Sequence, residues 1–135
     1  RVLVRSRGLG DVYKRQGIWL VSVRKQRKRN EVSRLLRVSN RNRNAFRWSP
    51  NETDAHIDMK FQICKQLRKW GHEFYTEVIF DSSGLRADVI DADTGVVYEV
   101  HNTESAASLV KKSKNYPLEV RFIDANKEFD MKEMQ

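Results

Sequence analysis

The chain contains one cysteine, two prolines and no apolar run long enough to cross a bilayer. A single cysteine, Cys64, excludes an internal disulfide framework and a cysteine-based zinc cluster, and it fits a reducing compartment. We interpret Cys64 as a packing residue, because no activating neighbour is evident around it. The lack of an apolar span predicts no membrane contact, and we expect a cytoplasmic protein of prokaryotic or viral origin.

The first residues read as translated sequencing adapter. The segment at residues 6–16 reads SRGLGDVYKRQ. Its last six residues are encoded by GAT GTG TAT AAG AGA CAG, a transposase end sequence, and the adjoining adapter bases encode the first five in the same frame. Segments of this kind are excluded from arguments about the fold. We therefore expect residues 1–16 to be a disordered artefact of metagenomic sequencing, and the natural start to be missing.

Charge divides the rest of the chain in two. Residues 17–50 carry ten Lys or Arg and one acid, whereas residues 51–135 carry eleven bases and sixteen acids. Arginines interleaved with asparagines and aromatics are typical of segments that contact phosphates, although a solvated tail or translated non-coding sequence can share this composition. We predict a flexible or partly helical basic arm over residues 17–48 that binds nucleic acid through Arg41, Arg43 and Arg47.

The acidic part is long enough for one small domain. Ser49, Pro50 and Glu52 predict the start of a helix and Gly71 its end, with a buried stripe formed by His56, Met59, Ile63, Leu67 and Trp70. Alternating apolar residues predict strands at residues 73–80, 85–91, 96–101 and 118–123, with a helix at residues 105–115. This αβββαβ order predicts an α/β domain over residues 49–123, with a central mixed sheet flanked by helices. A charged tail or short helix follows at residues 124–135.

Acidic residues occupy one position on each of three neighbouring predicted strands. Because residues two apart on a strand share a face, we expect Glu77, Asp88 and Glu99 to point toward one site. Crowded carboxylates repel one another unless a cation neutralises them, and oxygen ligands suit Mg²⁺ or Mn²⁺. Surface charge is the alternative interpretation, above all for Glu77, since Asp88 and Glu99 have apolar neighbours.

With RADVID on the second strand and YEVHNTES on the third, residues 49–123 resemble the PD-(D/E)XK nuclease superfamily, and its small competence-associated and resolvase-like members in particular. The resemblance implies a restriction-endonuclease-like core in which Asp88 and Glu99 bind a catalytic Mg²⁺ or Mn²⁺. It also implies that Glu77 or an acid on the first helix completes the metal site. The superfamily has a lysine two residues after the second acid, where this chain has His101.

Other residues could compensate for that missing lysine. His101 could orient or deprotonate the attacking water, and Lys111 or Lys114 on the following helix could supply the positive charge. Arg86 could contact a phosphate, with a structural ion pair as the alternative.

The sequence therefore predicts a metal-dependent nuclease that hydrolyses phosphodiester bonds, with DNA as the expected substrate, and leaves a homodimer open. Two alternatives remain. One is a catalytically inactive nuclease-like domain that binds nucleic acid or protein, because a fold can outlive its chemistry. The other is an unrelated α/β domain whose strand acids are structural.

Overall fold

The computed structural model describes residues 9–135, with side chains from residue 22 onward. Within this part of the chain, three α-helices are α1 (Leu9–Arg34), α2 (Asp54–Lys69) and α3 (Ala106–Ser113), and four strands are β1 (Phe74–Ile79), β2 (Arg86–Asp91), β3 (Val97–His101) and β4 (Val120–Asp124). Short 3₁₀ turns form at Asn40–Asn42 and Met131–Met134. The predicted α/β class, the αβββαβ order and the mixed sheet flanked by helices are confirmed.

The four strands form one sheet in the order β1-β2-β3-β4. The first three strands are antiparallel neighbours, which short turns can connect, whereas β4 runs parallel to β3. A parallel neighbour needs a crossover connection, and α3 supplies it. The sheet is therefore mixed, with β1 and β4 at its edges.

Each face of the sheet is covered by a separate hydrophobic cluster. On one face, α2 packs against the middle of the sheet, with a cluster that includes Met59, Ile63, Leu67, Val89 and Tyr98. On the other face, the end of α1 and the segment after it contribute to a second cluster that includes Val32, Leu36, Phe80, Ile90 and Val97.

The predicted basic arm is helical in part and docks on the sheet. Residues 9–16, for which we expected disorder, are the start of α1, and residues 1–8 of the predicted artefact lie outside the described residues. Val32 is 1% exposed, and Leu36 forms a β-bridge with Phe80. The second half of the arm is therefore part of the packed structure rather than a solvated tail.

No helix in the described part of the chain is long and apolar enough to span a membrane.

Helix α2 begins later than the sequence predicted. Its N-cap is Thr53, whose side chain accepts a hydrogen bond from the backbone N–H of His56, rather than Ser49. Ser49 instead opens a separate turn that closes with a backbone hydrogen bond from Glu52, and the Ser49 N–H donates to the Glu52 side chain. The predicted end is confirmed, because Gly71 takes the left-handed conformation (φ 75°) that commonly follows a helix.

The C-terminal residues dock on the sheet rather than fraying. The 3₁₀ turn that was one of the two predicted alternatives buries Met134 to 2% exposure. The Met134 carbonyl accepts hydrogen bonds from the Tyr98 hydroxyl at 3.0 Å and from the Arg121 guanidinium at 2.5 Å. These contacts close the α2 side of the core at the β4 edge of the sheet.

Candidate active site

The three predicted acids lie in one row across the sheet. The register of β1 with β2 aligns Glu77 with Asp88, and the register of β2 with β3 aligns Asp88 with Glu99. Strict alternation along β1 is nevertheless wrong at this point. Tyr75 and Val78 lie in the same core cluster, whereas Glu77 contacts Lys60 on the α2 side. The cause is the left-handed backbone of Glu77 (φ 50°), which turns its side chain away from the face of Tyr75.

Asp88 and Glu99 face each other where β2 and β3 stop pairing. The backbone pairs of these strands end at Val89 and Tyr98. Beyond them, the Val100 N–H donates to Asp88 Oδ2 at 2.8 Å, and the Asp88 N–H donates to Glu99 Oε2 at 2.6 Å. The two carboxylates thus replace backbone acceptors between the strands. The structure brings Asp88 and Glu99 together, and their role as metal ligands stays a prediction.

Glu99 is held in an environment that favours its protonated form. Burial, together with the nearby charge of Asp88, raises the pKa of Glu99 to about 8. The Tyr116 hydroxyl, which donates to Glu99 Oε1 at 2.5 Å, acts in the opposite direction. Burial and the neighbouring Glu99 also raise the pKa of Tyr116, which keeps that hydroxyl a donor. A cation bound beside Asp88 and Glu99 would lower the pKa of Glu99 and favour its ionised form.

A second set of ligands approaches Asp88 from the α2 side. Glu52, His56 and Asp88 each place one ligand atom within 4.8 Å of the others. The His56 Nε2 lies 3.3 Å from Asp88 Oδ2, and this hydrogen bond raises the pKa of His56 despite its partial burial. Two carboxylates with one imidazole can hold a divalent cation. We expected oxygen ligands only, whereas this group includes an imidazole nitrogen. A nitrogen ligand favours Mn²⁺ over Mg²⁺.

A buried lysine lies beside these residues. Lys60 is 0% exposed, and its Nζ donates to the Arg47 carbonyl at 3.0 Å and to Glu52 Oε1 at 3.0 Å. The same Nζ lies 3.3 Å from Glu77 Oε1. Burying an ammonium group is costly unless partners of this kind satisfy it. Lys60 therefore fixes Glu52 and Glu77 together under the loop that precedes α2.

Within this cluster, the pKa values of Glu52 and Glu77 are shifted in opposite directions. Burial raises the pKa of Glu77 to about 7, and a hydrogen bond with Glu52 contributes to the rise. Burial also opposes ionisation of Glu52, but hydrogen bonds from Glu77 and Lys60 outweigh it and lower the pKa of Glu52. Glu52 is therefore the ionised member of the pair and the better metal ligand. Glu77 contacts Lys60 and Glu52, and its role as a metal ligand stays a prediction.

Among the described residues, none of the predicted substitutes for the missing lysine forms a hydrogen bond or ion pair with Asp88 or Glu99. The ring of His101 packs 6.4 Å from that of Phe122, and its Nδ1 is buried with no hydrogen-bond partner among the described residues. Lys111 and Lys114 are exposed on α3, and within the described part of the chain neither forms a side-chain hydrogen bond or ion pair. The lysine that the structure places with the carboxylates is Lys60.

The arginines predicted to bind nucleic acid are all exposed, and they lie in two places. Arg41, Arg43 and Arg47 belong to the loop between α1 and α2, where Arg43 lies 3.8 Å from Glu73. The Arg47 backbone is fixed, because its N–H donates to Thr76 Oγ1 at 2.8 Å. Arg86 begins β2 and keeps its side chain exposed. The loop thus presents positive charge beside a site that is otherwise acidic.

Sequence reasoning missed Lys60 and Tyr116 and gave little weight to His56. The sequence did contain a signal for His56 and Lys60, namely their spacing of four residues. This spacing places them on the apolar face of α2, which includes Ile63 and Leu67. Polar groups on a buried stripe need partners, and the strand acids are the partners the domain offers. Tyr116 had no comparable signal, since its contact with Glu99 depends on how the chain returns from α3.

No family model, curated protein or solved structure matches this chain.

Proposed function

We propose that this protein is a metal-dependent nuclease that hydrolyses phosphodiester bonds, with DNA as its expected substrate. The observation that carries the proposal is the facing pair of Asp88 and Glu99 at the end of the β2–β3 pairing, with His56 of α2 and Glu52 of the preceding turn beside Asp88. This arrangement supports the resemblance to PD-(D/E)XK nucleases noted in the sequence.

The donor chemistry fits a divalent cation. Glu52, His56 and Asp88 would hold it, with Glu99 as a further carboxylate next to Asp88. A bound Mn²⁺ or Mg²⁺ would supply Lewis acidity, polarising a phosphate oxygen and favouring ionisation of the attacking water. Lys60 would keep Glu52 ionised and oriented, while the Tyr116 hydroxyl would orient the Glu99 carboxyl group. The exposed arginines of the loop before α2 would attract the phosphate backbone.

A catalytically inactive domain that binds nucleic acid is the second candidate. One observation favours it: the lysine near the acids, Lys60, has its Nζ engaged by Glu52, Glu77 and the Arg47 carbonyl. An ammonium group held in this way is less free to contact a phosphate. His101, at the position where the superfamily has its lysine, shows no contact with the acids among the described residues.

The experiment is a cleavage assay with the full chain, using supercoiled and single-stranded DNA in Mg²⁺, Mn²⁺ or EDTA. We expect cleavage that depends on the metal and is lost in Asp88→Ala. Asp81→Asn, in the exposed turn between β1 and β2, is the matched control and should keep full activity. A folded protein that binds DNA and cuts neither substrate would favour the inactive domain. Full activity in Asp88→Ala would refute the proposed site.

A further inference from the structure

Three aromatic rings form a contiguous cluster on the surface beside the start of α2. The Phe46 ring lies 6.0 Å from the Trp48 ring and 5.1 Å from the Phe61 ring, in the second case edge to face. Trp48 is 58% exposed and Phe61 is 47% exposed. Grouped rings left in water are typical of binding surfaces rather than of a monomer's ordinary exterior. We call these three residues the aromatic platform.

Positive charges accompany the aromatic platform. The Lys65 Nζ lies 5.1 Å from the centroid of the Phe61 ring, and Lys65 is exposed. Arg47 is exposed between Phe46 and Trp48 in the chain. Flat apolar rings interleaved with cations complement a ligand that has both flat faces and negative charge. Nucleic acid with unpaired bases has this combination, because its bases can stack and its phosphates are anionic.

The aromatic platform is fixed directly to the candidate active site. The Arg47 carbonyl accepts a hydrogen bond from Lys60, and the Ser49 N–H donates to Glu52 Oε1 at 3.2 Å. Trp48 therefore sits between two residues whose backbones are bonded to Glu52 and its lysine partner. A strand stacked on Trp48 would therefore contact the same loop that is bonded to the candidate site.

We propose that the aromatic platform binds single-stranded nucleic acid by stacking on unpaired bases, which makes a single strand, or a single-stranded part of a larger structure, the substrate of the site. The assignment rests on the proposed function for its catalytic meaning, but the binding step needs no cleavage. Bases inside a duplex are already stacked on one another, so they cannot use the platform. The platform therefore selects unpaired strands over blunt duplexes.

The test is the binding of fluorescently labelled oligo(dT), oligo(U) and a blunt duplex to the full chain in EDTA, measured by fluorescence anisotropy. We expect single strands to bind more tightly than the duplex, and Trp48→Ala to weaken single-strand binding by about tenfold or more, in line with stacking of one base. Trp48→Phe keeps a stacking surface and should stay close to the parent protein. Val110→Ala, at a 57% exposed apolar residue on α3, is the control that should change nothing.

The outcomes distinguish a failure of the base-stacking proposal from a failure of the proposed nuclease activity. If Trp48→Ala binds oligo(dT) and oligo(U) as well as the parent protein does, the aromatic platform is not a base-stacking site, and a protein partner becomes its explanation. Equal affinity for single strands and duplex would overturn the proposal as well. If the chain cuts nothing but Trp48→Ala still weakens single-strand binding, the platform stands and the nuclease fails.

Discussion

Replacing Glu99 by glutamine is expected to stabilise the metal-free protein at alkaline pH and to change little at acidic pH. Burial raises the pKa of Glu99 from its ordinary 4.5 to about 8, with Asp88 adding to the rise. Because the folded-state pKa lies above the unfolded one, the proton stabilises the fold. This contribution is complete below about pH 4.5 and is lost as the pH rises through about 8.

The size of the effect follows from that difference. If the whole shift in pKa is converted, loss of the proton lowers the free energy of unfolding by about 4 to 5 kcal/mol. Relaxation around the ionised group reduces this cost, so Glu99→Gln should raise the free energy of unfolding by about 2 to 4 kcal/mol near pH 9. Glutamine imitates the protonated acid. Its carbonyl can accept from the Asp88 N–H, and its amide can donate to the Tyr116 oxygen if that hydroxyl turns.

The assay is urea unfolding in EDTA at about pH 5, 7 and 9, followed by circular dichroism. Glu128→Gln, at an exposed position after β4, controls for the loss of one negative charge. With Mn²⁺ in place of EDTA at the highest pH, the parent protein should gain more stability than Glu99→Gln, because the variant keeps Glu52, His56 and Asp88 but lacks the Glu99 carboxylate. The reasoning is refuted if the parent protein and Glu99→Gln lose stability in parallel between about pH 5 and 9.

Three further changes test the packing and the charge around the site. Lys60→Met leaves the acids beside it unpaired and should lower the free energy of unfolding by about 3 to 5 kcal/mol; a loss below about 1 kcal/mol in urea unfolding would contradict the buried cluster. Deleting residues 1–46 removes the buried Val32 and Leu36, each worth about 1.5 to 3 kcal/mol. We expect a poorly packed domain with weak near-ultraviolet circular dichroism, and native-like unfolding would show that the arm is dispensable. Arg47→Gln should weaken oligonucleotide binding and reduce the salt slope by about one, whereas an unchanged slope would exclude contact with a phosphate.

Most elements of the domain could be predicted because local patterns and tertiary packing agree there. Ser105, predicted to open the second helix, caps α3 by accepting from the Ser108 N–H. Gly71 ends α2 because glycine tolerates the left-handed backbone that follows a helix. The row formed by Asp88 and Glu99 follows from the strand register, which the turn between β2 and β3 sets.

The start of α2 could not be read from the local pattern alone. Ser49 and Thr53 are both good N-caps, and each is followed by acids that suit the first turn of a helix. The choice is made by a distant contact, since Glu52 pairs with Lys60 only if the chain turns before Thr53. A capping rule weighs nearby residues and cannot include that ion pair.

The site differed from the expectation because the backbone departs from a regular strand at Glu77. Period-two reasoning assumes extended residues, and a left-handed glutamate is uncommon enough that no pattern predicts it. Such a conformation costs about 1 to 3 kcal/mol and persists where surrounding contacts enforce it. Here the Glu77 carboxyl group lies 3.3 Å from the Nζ of buried Lys60, so a lysine on α2 belongs to the same cluster.

The sequence shows that positive charge is concentrated in the basic arm, but it did not predict that the arm packs against the sheet. Composition indicates where positive residues lie, but docking depends on a few apolar side chains among them. Val32 and Leu36 are four residues apart and fill the sheet face that α2 leaves open. The charged residues of α1 and the following loop are consequently held in place, and Arg29 donates to Asp93 at 2.9 Å.

The most direct test of the account is the binding of Mn²⁺ to the full chain, measured by titration calorimetry at neutral pH. We predict one bound ion per chain, lost in Asp88→Asn and retained in Asp81→Asn, with circular dichroism showing that both variants fold. Asp88 belongs both to the group with Glu52 and His56 and to the pair with Glu99, so its carboxylate connects all the proposed ligands. Undiminished Mn²⁺ binding by folded Asp88→Asn would contradict the site and the nuclease chemistry built on it.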